Sequence, residues 1–481
     1  MKKLIVIVFI IFGAFLTLCL YKTFAYDTSV VEEVPSTTDL EYTFKIGNSS
    51  IKQITVDSGE TRYYDIVLGN PNNAKISYSV YYEMVSPSTK PDGYKIEYTS
   101  KSTGNSTGIV NNNGNITLNI VVTNTSSSSV TVKVGTVAGY VKGGELTLNS
   151  GQEVIPKRLT AAEYVMTLND NTSGDEGSGV YKIEHSAIPA SNSATGSEIP
   201  AVTDYRYYGP NPNNYICLDM EGGSTCPDKH LYRIIGSIYE EKENTNRIKL
   251  IKATPLTDGT TSAFSWDYTS SGSYSNIWAT ITSGNYSNSL TSGSTLMQLL
   301  NSGAWWNGTS GSYYNQSNTA TTVNFTNYKL SDKAKSYITT SRYYLGGFNN
   351  TPPLTNEMYG YERGTLRYDT NRPLYWEGMV GLMYPSDYGY AAGNSCVNGT
   401  KLYDYNGYGN KDWLYISDIY QSLMSPYSGH FCSLFSVGYA GRVVIDNDVF
   451  EDLAVSPVFY LTSTTSIIDG DGSLNNPYIL K

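Results

Sequence analysis

Charge is scarce in this chain. Lys, Arg, Asp and Glu make up 16% of its 481 residues, and the balance is acidic, at −10. Nucleic-acid binding needs a basic stripe to meet phosphates, so that class of partner is excluded. Histidine is scarcer still: His185, His230 and His430 lie far apart in the sequence. No Cys-Xaa-Xaa-Cys pair accompanies them, so no zinc site is expected from spacing. A Gly-Xaa-Ser-Xaa-Gly elbow is missing, which removes that route to a serine nucleophile. No cofactor motif and no fixed-period repeat are found, and the latter argues against a solenoid.

The longest apolar run stands at the N-terminus. After Met1-Lys2-Lys3 the chain is uncharged from Leu4 to Tyr21, 18 residues, near the short end of the ~17–25 that span a bilayer. Lysines before an apolar stretch fit a secretory signal and a positive-inside anchor equally. Thr23-Phe24-Ala25 would allow cleavage after Ala25, and both fates of residues 1–26 stay open. Leu18 stands where a lipobox needs a small residue, which argues against lipidation at Cys19. Either fate implies export, to the cell surface or beyond, with the membrane as a partner through residues 4–21 if they are retained.

With few charges, the surface must be solvated by Ser, Thr, Asn and Gly. Tyrosine, at 44 residues, and glycine, also at 44, favour strands and turns. After a linker over 27–38, residues 39–156 alternate with period 2. Ser50 to Val56, Thr61 to Leu68, Ile76 to Tyr82, Ile116 to Val122 and Val130 to Gly135 read as strands between Asn-, Gly- and Ser-rich turns. Short strands at such intervals suggest an immunoglobulin-like β-sandwich, with no cysteine available inside it.

Thr160 and Glu163 form a capping-box pattern opening a short helix to Leu168. Residues 169–201 read as loop, so 157–202 is expected to be a helix followed by a flexible connection. A larger module occupies 203–481. Within it Leu231 to Tyr239 and Arg247 to Lys252 form a hairpin pattern, Leu296 to Asn301 and Asp332 to Ile338 shift towards helix, and strands return at Ser433 to Val437, Gly441 to Ile445 and Val455 to Leu461. The four cysteines outside the export segment are even in number, which suits an oxidising compartment. Cys217 and Cys226 bracket a short Gly222-Gly223 loop, which suggests a local disulfide. Cys396–Cys432 follows by elimination.

Several stretches of this module are distinctive: Thr203-Asp204-Tyr205-Arg206-Tyr207-Tyr208-Gly209-Pro210, Leu231-Tyr232-Arg233-Ile234-Ile235-Gly236, Tyr361-Glu362-Arg363, and Trp376-Glu377-Gly378 through Tyr384-Pro385-Ser386-Asp387-Tyr388-Gly389-Tyr390. With Ser456 to Leu461 and Gly470-Asp471-Gly472-Ser473, they resemble a family of uncharacterised surface proteins of gut-dwelling low-GC Gram-positive bacteria, over roughly 160–481. Trp413 to Leu461 is also similar to the C-type lectin-like fold of sulfatase-modifying-factor proteins. Ser456 stands where that pattern has Arg, and neither Cys396 nor Cys432 matches the family's reactive cysteines. With the sandwich pattern of 39–156, the resemblance implies a mainly β protein with some α: an immunoglobulin-like β-sandwich followed by a larger α+β, C-type lectin-like domain. The N-terminal module is similar, more distantly, to matrix-fibre and camelysin-like exported proteins.

Candidate chemistry is thin. Asp469 to Ser473 opens like a calcium loop but lacks the bidentate Glu at its twelfth position, and a turn before a last strand accounts for it. Asp446-Asn447-Asp448 with Glu451-Asp452 forms a second acidic patch. Glu362, Asp369, Glu377 and Asp387 could supply glycosidase carboxylates only if folding set a pair ~5–10 Å apart across a cleft. Trp266, Trp278, Trp305 and Trp306 lie among Tyr-, Asn- and Ser-rich loops, where exposed aromatics would stack on sugars or contact a protein. The expectation is a non-enzymatic surface binding or adhesion protein, taking a glycan or a host or bacterial surface protein. The alternatives are an exported polysaccharide hydrolase or a structural surface-layer or fibre component.

Overall fold

Apolar alternation organises the first third of the chain. Ile76, Tyr78, Val80 and Tyr82 are buried and their neighbours are not; Ile116, Leu118 and Ile120 alternate likewise until Val121 and Val122, which are both buried. The chain was analysed as a computed structural model that describes residues 43–46, 53–100, 108–140, 146–169, 174, 177–282, 285–286, 290–406 and 411–481. The apolar segment 4–21, Cys19, the cleavage position at Ala25 and the 27–38 linker lie outside the described residues. Among those described, no helix is long and apolar enough to cross a membrane. The chain divides into two compact units, Met1–Arg158 and Leu159–Lys481.

The first unit has strands β1 (Thr43–Ile46), β2 (Gln53–Val56), β3 (Glu60–Asn70), β4 (Ile76–Ser86), β5 (Tyr94–Ser100), β6 (Ile109–Val110), β7 (Gly114–Asn124), β8 (Val130–Tyr140) and β9 (Gln152–Val154). They form two antiparallel sheets, ordered β1-β3-β7-β5 and β2-β8-β4-β6, with β9 also on β4. The inward residues of both sheets make one core, each fully buried Val, Ile or Leu being worth about 1.5–3 kcal/mol. Two buried asparagines hold turns. Asn70 donates to the carbonyls of Ala74, Val110 and Asn111, and Asn124 to those of Val56 and Ser128. This is how a unit without a disulfide fixes its loops, since a buried amide is stable only when its hydrogen bonds are made.

In the second unit the capping box is present. Glu163 N–H donates to Thr160 Oγ1 and the Thr160 N–H to Glu163, opening the helix Ala161–Thr167. The 169–201 stretch is not all loop. Gly179–His185 is a strand, paired along its whole length with Val202–Tyr208. Its Ser- and Gly-rich flanks hide Val180 and Tyr181, which are buried. Both strands join a ten-stranded sheet centred on the hairpin Leu231–Glu240 and Thr245–Lys252. Pairing there is antiparallel except where the last strand, Tyr478–Leu480, runs parallel to Tyr215–Cys217. The Gly470 turn lies between Ile467–Asp469 and that last strand. Helices form at Thr295–Asn301 and Asp332–Ser336, where the pattern shifts. A separate three-stranded sheet comprises Gln421–Pro426, Ser433–Val437 and Val443–Asp448. The molecule is mainly β.

Candidate functional site

Three of the four tryptophans expected at a ligand surface are core residues. Trp266, Trp278 and Trp305 are at most 1% exposed. Trp266 and Trp278 meet edge to face at 4.8 Å, so their area is spent on packing. Trp306 is half-buried, with Lys335 Nζ 5.1 Å from its ring centre. Cysteine pairing is also corrected. Cys217 and Cys226 are disulfide-bonded, but Cys396 and Cys432 are buried thiols rather than a second bridge. Elimination fails because burial and local partners, not parity, decide which thiols meet.

The distinctive sequence stretches converge on a buried charge network. Arg206 bridges Asp204, at 2.9 Å, and Asp387, at 2.7 Å, and Lys249 Nζ lies 2.5 Å from Asp387. All four side chains are 1% exposed or less. Burial opposes ionisation of Asp387, but Lys249 and Arg206 outweigh it and hold the carboxyl below the usual range. Asp204 is held low in the same way by Arg206 and His185. His185 bonds Asp204 at 3.0 Å and stacks on Tyr359 at 3.8 Å, and burial pushes its pKa down. The network joins the strands Gly179–His185, Val202–Tyr208 and Thr245–Lys252 to the helix Pro385–Ala391. It is a structural clasp with its charges balanced.

The candidate hydrolase carboxylates are therefore engaged separately. Glu362 is fully buried, accepts from the Ser386 N–H and hydroxyl, and lies 3.4 Å from Arg363. Burial pushes it up to about 7. Asp387 belongs to the clasp. Glu377 pairs with Arg342 and Lys242, and Asp369 with Arg372.

A groove of about 510 Å³ opens to solvent between the helix Thr295–Asn301 and the strand Ser310–Tyr314. Tyr268, Gln298, Ser302, Asn307, Ser312 and Tyr314 are among its lining residues, and no charged side chain is. Its wall is set by buried groups. Asp267 accepts the N–H groups of Ser275 and Thr295, and Ser294 caps the helix by accepting from Met297 N–H. Burial pushes Asp267 up to about 6. The strand Ser310–Tyr314 is held by its hairpin partner Ala320–Asn324. Sequence reasoning located these Ser- and Tyr-rich loops but chose the tryptophans. The usable signal was the tyrosines and amides themselves, being the side chains able to stay wet.

A second arrangement was not legible. His430, Cys432 and Asp448 gather at the edge of the three-stranded sheet. Cys432 Sγ lies 3.2 Å from His430 Nδ1 and 3.3 Å from Asp448 Oδ1. Burial, reinforced by the Asp448 carboxylate, pushes the thiol up to about 11, so this is no poised thiolate nucleophile. The signals were a His-Xaa-Cys spacing and the Asp446–Asp448 acidic patch, which lie apart in sequence. No protein-family model, curated protein or solved structure matches this chain, so what these sites do rests on their own residues.

Proposed function

We propose that this chain is a non-enzymatic binding protein displayed outside a bacterial cell. In this reading residues 4–21 direct export, the N-terminal sandwich is an immunoglobulin-like module, and the larger lectin-like module binds a neutral glycan. One observation carries it: the uncharged groove of about 510 Å³ whose lining combines tyrosines, amides and hydroxyls. Tyrosine rings offer flat faces to the C–H faces of a sugar at low entropic cost. Gln298 and Asn307 can donate to and accept from its hydroxyls. A site without charge has no means of discharging an acidic sugar or a phosphate, which points to neutral saccharides. The engaged carboxylates weigh against the hydrolase alternative.

A glycan array probed with the full chain should show binding to neutral oligosaccharides. Tyr314→Ala and Gln298→Ala should each weaken that binding about tenfold, the loss of one good contact; Gln298→Ala also removes the hydrogen bond to the Gly293 carbonyl and should lower stability by about 1 kcal/mol. Absence of glycan binding, or binding indifferent to both substitutions, would count against the reading.

A further inference from the structure

Three side chains of different chemistry meet at one corner of the three-stranded sheet, and strand register puts them there. Ser433 is the cross-strand partner of Asp448, and the Val449 N–H donates to the Cys432 carbonyl at 2.8 Å. Cys432 and Asp448 are thus fixed against each other by backbone. His430 is brought over them by the connection that precedes Ser433. That connection is clamped: the Asn276 amide donates to the carbonyls of Tyr427, His430 and Ser433 at 3.0, 2.9 and 2.7 Å. Arg372 in turn donates to Asn276 Oδ1 and to the Phe431 carbonyl.

We propose that His430, Cys432 and Asp448 bind one zinc-type divalent ion, with water in the fourth position. A tetrahedral ion with bonds of about 2.0–2.3 Å sets its ligand atoms roughly 3.3–3.7 Å apart. Here Nδ1–Sγ is 3.2 Å, Sγ–Oδ1 is 3.3 Å, and the three ligand atoms all lie within 4.8 Å of one another. The donor set suits the ion: thiolate and imidazole favour zinc over magnesium or calcium, and the carboxylate supplies a third ligand of a type zinc accepts. Charge agrees too. A thiolate and a carboxylate at this distance repel each other, and one divalent cation neutralises both. Access is open on one side, because His430 is exposed and Asp448 half-buried, while Cys432 is 3% exposed. Ser433 Oγ touches both Asp448 Oδ1, at 3.0 Å, and His430 Nδ1, at 3.4 Å, and can bond the coordinated water. Asn276 and Arg372 act as the outer groups that hold ligand-bearing backbone in place.

The test is titration of the metal-free full chain, with the Cys217–Cys226 bridge intact, with Co(II), followed by Zn(II). One equivalent of Co(II) should give the near-ultraviolet charge-transfer absorption of a thiolate–cobalt bond, and Zn(II) should displace it. Cys432→Ser should abolish that absorption, and Cys396→Ser should leave it intact. His430→Ala, which removes an exposed ring and leaves the core untouched, should weaken Zn(II) binding by about tenfold or more, as should Asp448→Asn. No absorption with the wild-type chain would overturn the proposal. So would absorption that survives Cys432→Ser, or affinity unmoved by His430→Ala.

Discussion

At the scale of single residues, this protein buries a few of its charges completely. Arg206, Lys249, Asp204 and Asp387 are among its most buried side chains, and each is tolerable only because the others are present, since an unpaired buried charge costs about 3–5 kcal/mol. Glu362 differs. Burial outweighs Arg363 and raises its pKa to about 7 from the ordinary 4.5, so the folded state keeps a proton that the unfolded state releases. Stability contributed by that proton is full below about pH 4.5 and is lost as pH rises to about 7. Glu362→Gln keeps an acceptor for the Ser386 N–H, reverses the hydroxyl bond so that the amide donates to Ser386 Oγ, and cannot ionise. Relative to wild type, the variant should gain up to about 3 kcal/mol between pH 4.5 and pH 7. Denaturant melts of both proteins at pH 4.5 and 7.5 check this, and an unchanged difference between the two would show that Glu362 does not titrate there. Using the difference matters because His185, whose pKa is lowered, pulls the wild-type profile the other way.

At the scale of elements, local signals were legible wherever one segment satisfied itself. The capping box of Ala161–Thr167 lies within four residues, and the hairpin Leu231–Glu240 with Thr245–Lys252 is set by its own turn and alternation. Thr160→Ala removes the acceptor for Glu163 N–H and should lower stability by about 1 kcal/mol, read as a shift in the denaturation midpoint of the second unit. Thr160→Ser should restore most of it, and equal stability of all three would mean the cap contributes nothing. The strand Gly179–His185 was not legible, because what makes it a strand is Val202–Tyr208 alongside. The groove has the same origin. Gln298 and Tyr314 come from a helix and a hairpin strand that only packing brings face to face, so no spacing in the sequence pairs them.

At the scale of the whole molecule, cysteine connectivity separates what composition can and cannot say. An even count outside residues 4–21 was compatible with two bridges, whereas the fold joins Cys217 to Cys226 and leaves Cys396 and Cys432 as buried thiols. Alkylation of the unfolded, unreduced chain followed by peptide mass analysis should find Cys217 and Cys226 linked, with both Cys396 and Cys432 alkylated. A Cys396–Cys432 peptide would refute that arrangement. Reducing the Cys217–Cys226 bridge, which closes a short loop, should lower the stability of the second unit by roughly 2–4 kcal/mol. The amino-acid sequence by itself determined the mainly β class, the alternating sandwich strands, the capped helix and the local disulfide, because each depends on residues close along the chain or on overall composition. Tertiary structure alone decided that Trp266, Trp278 and Trp305 are core, that Asp204, Arg206, Lys249 and Asp387 form one buried clasp, and that His430 and Cys432 meet Asp448. Those outcomes depend on which surfaces lose water when distant segments pack, and that is a property of no single segment.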